Sequence, residues 1–247
     1  MTTIDVRRAD DRTFQRIDGI HSRFSFAFAG NFDLAAGAHG TLMVHNDDEI
    51  DALMGVDPHT HTDAEIVTWV LDGRIEHADS AGRTGEISAG WIQRISAGKG
   101  IRHTERNPDK ANKVHVLQMW AAPDTSGLEP EYAQVDLNEQ LDSGELVTAL
   151  SGIPGEDPGV GIHNRWTALD IARPRPGAVL DVKAAPFHHV FLARGSARVL
   201  IDDADADSPV DLRPGDALRL TDAPAFQVEA IGEEPVEFLV WRMHAHF

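Results

Sequence analysis

"DPHTHTDAEIVTWVLDG", residues 57–73, sets two histidines two positions apart, directly before an apolar, β-branched run. In an extended chain alternate side chains share a face, so His59 and His61 point the same way. Glu65 has their parity if the strand is continuous. The run that follows reads as a strand buried on both faces. Downstream, "SAGKGIRHTERNP", residues 96–108, supplies His103 and Glu105, again two apart, after Gly98 and Gly100 have let the chain turn. Two such strands, brought side by side in a barrel, would converge three neutral imidazoles and a carboxylate. That donor set suits Fe(II), Mn(II), Ni(II), Cu(II) or Zn(II), with positions left for water or substrate. Glu65 either joins the shell or orients an imidazole. Glu105 is the better placed acid, because Glu65 would lie about 13 Å from His61 along an extended strand.

Outward from this block, "GWIQRIS" and "VHVLQMW" also read as strands, bounded by Gly, Asp, Asn or Pro. "APDTSGLEPEYAQ", residues 122–134, concentrates Pro, Gly, Ser and acids, which is linker composition. We therefore expect a first domain over 1–122, a linker over 123–134 and a second domain over 135–247. The second half holds one short helical candidate near "DLNEQLDSG" and then strands such as "HHVFLARG", "SARVLID", "DALRLTD" and "VEFLVWRM". "VTWVLDGRIEHADSAGRTGEISAGWIQRIS" and "VFLARGSARVLIDDADADSPVDLRPGDALRLT" share an order of strand, Gly turn, strand, polar loop and strand. Two copies of one β unit account for this.

Composition narrows the chemistry. The 247 residues carry 22 Lys and Arg against 40 Asp and Glu, a formal charge of −18 that repels nucleic acid and anionic membranes. With no cysteine, imidazole and carboxylate are the only strong metal-binding side chains, and there are 13 histidines. The N-terminal residues lack an apolar signal region, and no stretch approaches a membrane span, so a cytoplasmic protein is expected.

The spacing of His59, His61, Glu65 and Gly73, then Gly90, Gly98, His103 and Asn107, resembles the cupin motifs. More narrowly, "HTHTDAEIVTWVLDGRIEHADSAGRTGEISAGWIQRISAGKGIRHTERN" resembles the pirin family. "DGIHSRFSFAFAGNF" and "VHNDDEI" extend the likeness over about residues 7–123. The chain departs from the family in having "HTHTDAE" where H-P-H-R-D-x-E is more frequent, and Arg106 where a hydrophobic residue follows the Glu. The resemblance implies an all-β bicupin, two jelly-roll-like barrels facing each other. It implies one divalent transition metal in the first barrel, held by His59, His61, His103 and Glu105, with Fe(II) foremost and Mn, Ni, Cu, Co or Zn also compatible. The second barrel is expected to be metal-free: aligning Gly195 with Gly73 puts Asp181, Lys183 and Phe187 at the His, His and Glu positions, and Phe226 or a neighbour where the last His would stand.

Other features read as structural. His188 and His189 point to opposite faces of a strand, "HAHF" at the end lacks a partner acid, and "DDADAD", residues 202–207, fits a solvated hairpin turn. Trp69, Trp91 and Trp120 read as core. His45, His77 and His115 stay outside the ligand set. Two functions follow from the resemblance. The first is a quercetin 2,3-dioxygenase-like oxidoreductase acting on a flavonol-like aromatic with O2, Glu105 serving as general base. The second is a non-enzymatic, redox-sensing metal protein that binds a transcription factor or a metabolic enzyme.

Overall fold

The computed structural model describes residues 1–26, 37–202 and 209–246. Its elements are strands, apart from a 3-10 turn at Ala9–Asp11 and the helix Asn138–Leu141. No described helix is long and apolar enough to cross a membrane. Of the acidic run at 202–207, all but Asp202 lies outside the described residues.

Four sheets form two barrels, each made of a seven-stranded and a four-stranded sheet. In the first barrel the large sheet runs Glu131–Asp136, Trp91–Ser96, Glu65–Asp72, Val114–Ala121, Leu42–Ile50, Ile20–Phe24, Thr13–Ile17. In the second it runs Thr3–Arg7, Ala217–Ala223, Ala185–Arg194, Glu237–Met243, Thr167–Ala172, Val147–Ser151, Val160–Gly161. The small sheets match as well: Gly55–His61, Ile101–Arg106, Arg74–Asp79, Thr84–Ser88 against Val179–Val182, Phe226–Ile231, Ser196–Ile201, Val210–Leu212. The two barrels share strand number and layout, and differ at the last strand of the large sheet, which pairs antiparallel in the first (Thr13–Ile17) and parallel in the second (Val160–Gly161). Gly73 and Gly195 occupy the same turn, with φ of 77° and 72°, a conformation that glycine adopts without strain.

Each large sheet has an edge strand from a segment distant in the chain or beyond the rest of its barrel. Thr3–Arg7 pairs with Ala217–Ala223 in the second sheet. Glu131–Asp136 pairs with Trp91–Ser96 in the first, so residues 131–134 are strand although their composition suggests linker. Each large sheet thereby gains an edge strand that covers open backbone groups.

The run Glu65–Leu71 is buried throughout because it is sandwiched. Val67, Trp69 and Leu71 meet Leu117, Met119, Phe191, Leu239 and Trp241 in the core between the large sheets. Trp69 Nε1 donates to Glu237 Oε1 across that core at 2.7 Å. The alternate residues Ile66, Thr68 and Val70 face the interior of the first barrel. There the two barrels differ. The second is filled by one apolar cluster including Val182, Val190, Leu192, Val228 and Phe238. The interior of the first is divided between two smaller clusters, one around Ile75, Ile87 and Val116, the other around Ile66, Ile95 and Ile101. Between them lies a row of polar side chains, Gln93, Thr68 and Gln118, with Glu105.

A histidine cluster in the first barrel

Gly55–His61 pairs antiparallel with Ile101–Arg106, placing His103 opposite His59 and Ile101 opposite His61. A register shift between His103 and Glu105 follows, where the strand bulges. The rings of His59, His61 and His103 converge, with centroids 4.6 Å (59–61), 4.5 Å (59–103) and 5.1 Å (61–103) apart. One ring nitrogen from each lies within 4.8 Å of the others. His59 Nδ1 donates to the Asp57 carbonyl at 2.9 Å, which leaves Nε2 as the lone-pair nitrogen of the neutral ring. Burial, then the neighbouring His59 and His103 or His77 charges, pushes His61 down to about 4 and His103 down to about 3. His61 and His103 are therefore neutral at physiological pH, as ligation requires. Among the described residues, neither ring nitrogen of buried His103 has a hydrogen-bond partner. An imidazole in that position has a donor and an acceptor to satisfy, and a divalent transition ion fits the arrangement.

Glu105 lies on the same strand, buried, with both carboxylate oxygens held. Gln93 Nε2 donates to Oε1 at 2.6 Å, and Gln118 Nε2 donates to Oε2. Thr68 bridges these amides, receiving Gln93 Nε2 at 3.1 Å and donating to Gln118 Oε1 at 2.9 Å. Gln93, Thr68, Gln118 and Asn46 stand opposite one another on successive strands, forming one polar row across the sheet. Glu105 approaches His103 and His77 closely enough for the three to form a second potential donor group. His77, omitted from the ligand set on sequence grounds, is buried, stacked on Tyr132 at 4.8 Å, and 3.4 Å from Asp79.

Glu65 is elsewhere. Asp63, with φ of 46°, breaks the strand between the histidines and Glu65. The Glu65 carboxylate accepts from Ser96 Oγ at 2.8 Å and from the His163 backbone at 3.3 Å, so it orients none of the clustered imidazoles. Asn107 anchors the loop after Glu105 by donating to the carbonyls of Ile50, Asp51 and Asn112.

The clustered histidines line a cavity of about 630 Å³, of the size that encloses a small organic molecule. Its apolar walls include Ile50, Ile66, Ile75 and Val116. Trp120, expected in the core, instead lines this cavity edge-on to His61, with ring centroids 4.8 Å apart. Asn46 and Asp48 add polar wall, and Arg106 stands at the rim paired with Asp57. Burial pushes the Asp48 carboxyl up to about 7, against a hydrogen bond from Ser22. The sequence signal for Gln93, Thr68 and Gln118 is a polar side chain among apolar neighbours of the same parity; Asn46 and Asp48 lie in a strand already rich in polar residues.

The equivalent positions in the second barrel carry different chemistry. Asp181 accepts from Gln227 at 2.8 Å, exposed Lys183 pairs with Glu156 at 3.4 Å, and Phe187 packs against the inter-barrel core. Buried Phe226 meets His188 edge-on. His188 and His189 do face opposite ways: the first bonds the Lys183 carbonyl, the second meets His45 between the barrels. The C-terminal tail is docked, His244 N donating to the Trp166 carbonyl and the His246 ring lying 5.6 Å from Phe187.

Two matching β-barrels, one with a histidine cluster in a cavity and one filled with apolar side chains, define a bicupin. A family model described as Pirin matches residues 7–121. A protein of Mycobacterium tuberculosis, provisionally named quercetin 2,3-dioxygenase, is 44% identical over 243 residues, 98% of this chain and 96% of that one. The quercetin 2,3-dioxygenase of Escherichia coli K12 is 40% identical over 131 residues, 53% of this chain and 57% of that one. The crystal structure of bacterial pirin YhhW from Escherichia coli in complex with nickel(II) superposes with a TM-score of 0.84 at 28% identity, covering 98% of this chain and all of that one. The chain belongs to the pirin family.

Proposed function

We propose that this protein is a metal-dependent dioxygenase of pirin type that opens flavonols such as quercetin with O2. One observation carries the reading: three histidines converge at the wall of a largely apolar cavity, and among the described residues neither ring nitrogen of buried His103 has a hydrogen-bond partner. His59, His61, His103 and Glu105 would hold one divalent transition metal, Fe(II) foremost, with Mn, Ni, Cu, Co or Zn also compatible. Bound there, such an ion supplies Lewis acidity and, where redox-active, a path for electrons to O2.

The remaining chemistry belongs to the chain. Apolar walls and the edge of Trp120 hold a planar aromatic and exclude water. Glu105, fixed by Gln93 and Gln118, accepts the proton of the flavonol 3-hydroxyl as general base, which raises the electron density of the ring to be oxidised. In the overall reaction both oxygen atoms of O2 enter the product, the heterocycle opens, and carbon monoxide leaves with a depside. The flavonol supplies all the electrons, so no external reductant is consumed. The names of the mycobacterial and Escherichia coli relatives support the same substrate class. Oxygen uptake with quercetin, measured on protein loaded anaerobically with Fe, Mn, Ni, Cu or Co, tests the proposal. Uptake by at least one form is expected, and inactivity of all five overturns it.

A second reading is a redox-sensing metal protein that binds a transcription factor or metabolic enzyme. It is favoured by the exposed apolar side chains Ile17, Met54 and Val56 at the cavity mouth, a surface that a partner could cover. A pull-down with ferrous and ferric protein that recovers no partner in either state counts against it.

A further inference from the structure

Asn46 and Asp48 sit two apart on Leu42–Ile50, both facing into the cavity and both more than nine-tenths buried. Each has an oxygen, Asn46 Oδ1 and Asp48 Oδ1, with no hydrogen-bond partner among the described residues. Among the described residues Asp48 has no ion pair; its only side-chain hydrogen bond comes from Ser22, directly across the neighbouring strand. A buried carboxyl without a cation and an amide oxygen without a donor both cost stability. What they lack is the same thing: hydrogen-bond donors arriving from the cavity.

Their position fits a ligand that also reaches the histidines. Asn46 is opposite Gln118, which holds Glu105. Asp48 is the diagonal neighbour of Gln118, about 7–8 Å away, comparable to the span of a fused bicyclic ring system. We propose that Asn46 and Asp48 form a subsite that accepts hydrogen bonds from phenolic hydroxyls on the part of the substrate remote from the histidine cluster, and so select polyhydroxylated aromatics. This rests on the flavonol reading of the same cavity and assigns its specificity.

Calorimetric titration of the metal-loaded protein under anaerobic conditions separates the two. The probes are quercetin, galangin, which lacks the hydroxyls of the pendant ring, and 3-hydroxyflavone, which keeps only the 3-hydroxyl. The wild-type protein is expected to bind one or both of the polyhydroxylated ligands about tenfold or more tighter than 3-hydroxyflavone. Asp48→Leu and Asn46→Leu should each shrink that ratio while leaving 3-hydroxyflavone affinity and metal content unchanged. Equal affinity of the wild-type protein for all three, or a wild-type ratio in both folded variants, overturns the subsite but not the dioxygenase. Failure of all three to bind overturns both. The wild-type series alone decides the matter if a variant does not fold.

Discussion

His45 Nδ1 and His189 Nε2 meet at 3.0 Å between the two barrels, with both rings fully buried. One ring must donate and the other accept, so the contact requires a neutral imidazole. Burial, then the Arg12 charge, pushes His45 down to about 3; burial, then His45, pushes His189 well below its usual value. Below about pH 6.5 the unfolded chain binds protons that the folded interface refuses, so stability is intact above that pH and falls beneath it. The loss is at most about 1.4 kcal/mol per histidine per pH unit. Urea midpoints measured between about pH 7 and pH 5 should fall less steeply for His45→Asn/His189→Asn than for the wild-type protein. Equal slopes would remove the pair from the account.

The amides that hold Glu105 should matter to turnover more than to metal retention. Gln118→Leu leaves one buried carboxylate oxygen without its donor, costing about 1–3 kcal/mol of stability. Flavonol-dependent kcat should fall about a hundredfold with metal content preserved. Glu105→Gln should likewise keep metal, through the three imidazoles, and abolish uptake. Unchanged kcat in Gln118→Leu would show that the orientation of the carboxylate is irrelevant.

Asp48 gives the opposite pH signature to the histidine pair. Its carboxyl is pushed up to about 7 by burial, so between about pH 4 and pH 7 the folded protein holds a proton that the unfolded chain has released. This group's contribution to stability is present at the acid end of that window and lost as the pH rises through it. Asp48→Asn should therefore gain stability relative to wild type as the pH rises from about 5 to 8, reaching a few kcal/mol. Denaturant titrations of both proteins at the two pH values check this, and a pH-independent difference would contradict it.

How much of this was legible in the chain depends on the range of the interactions. Alternating parity within "HTH" and "HTE" shows which side chains share a face, because that is a property of one strand. The duplicated order of strands and Gly turns is likewise local and correctly gave two β units. The exchanged edges, Thr3–Arg7 and Glu131–Asp136, were invisible because pairing of an edge strand is decided by a distant sheet. Glu65 shares histidine parity only in a continuous strand, and the left-handed turn at Asp63 removes that premise. His77 joins the site through cross-strand register with Glu105, which a single sequence does not contain.

Close approach of the two histidine-bearing strands depends on Gly55. A Cβ there would stand 2.3 Å from the Glu105 carbonyl and 2.6 Å from Arg106 Cα, both backbone atoms. Gly55→Ala should force Gly55–His61 away from Ile101–Arg106 and weaken metal binding about tenfold or more, with every ligand residue intact. Chelator competition measures the affinity; a wild-type value would mean that the strands adjust freely.

We propose that His59, His61 and His103, rather than the other histidines, hold the metal. The measurement is elemental analysis of protein purified without added metal, run on the wild type and on His61→Ala, His103→Ala, His77→Ala and Glu65→Gln. Near-stoichiometric metal is expected in the wild type, with loss of most of it in His61→Ala and His103→Ala and a content close to wild type in His77→Ala and Glu65→Gln. Full metal in both His61→Ala and His103→Ala would contradict it.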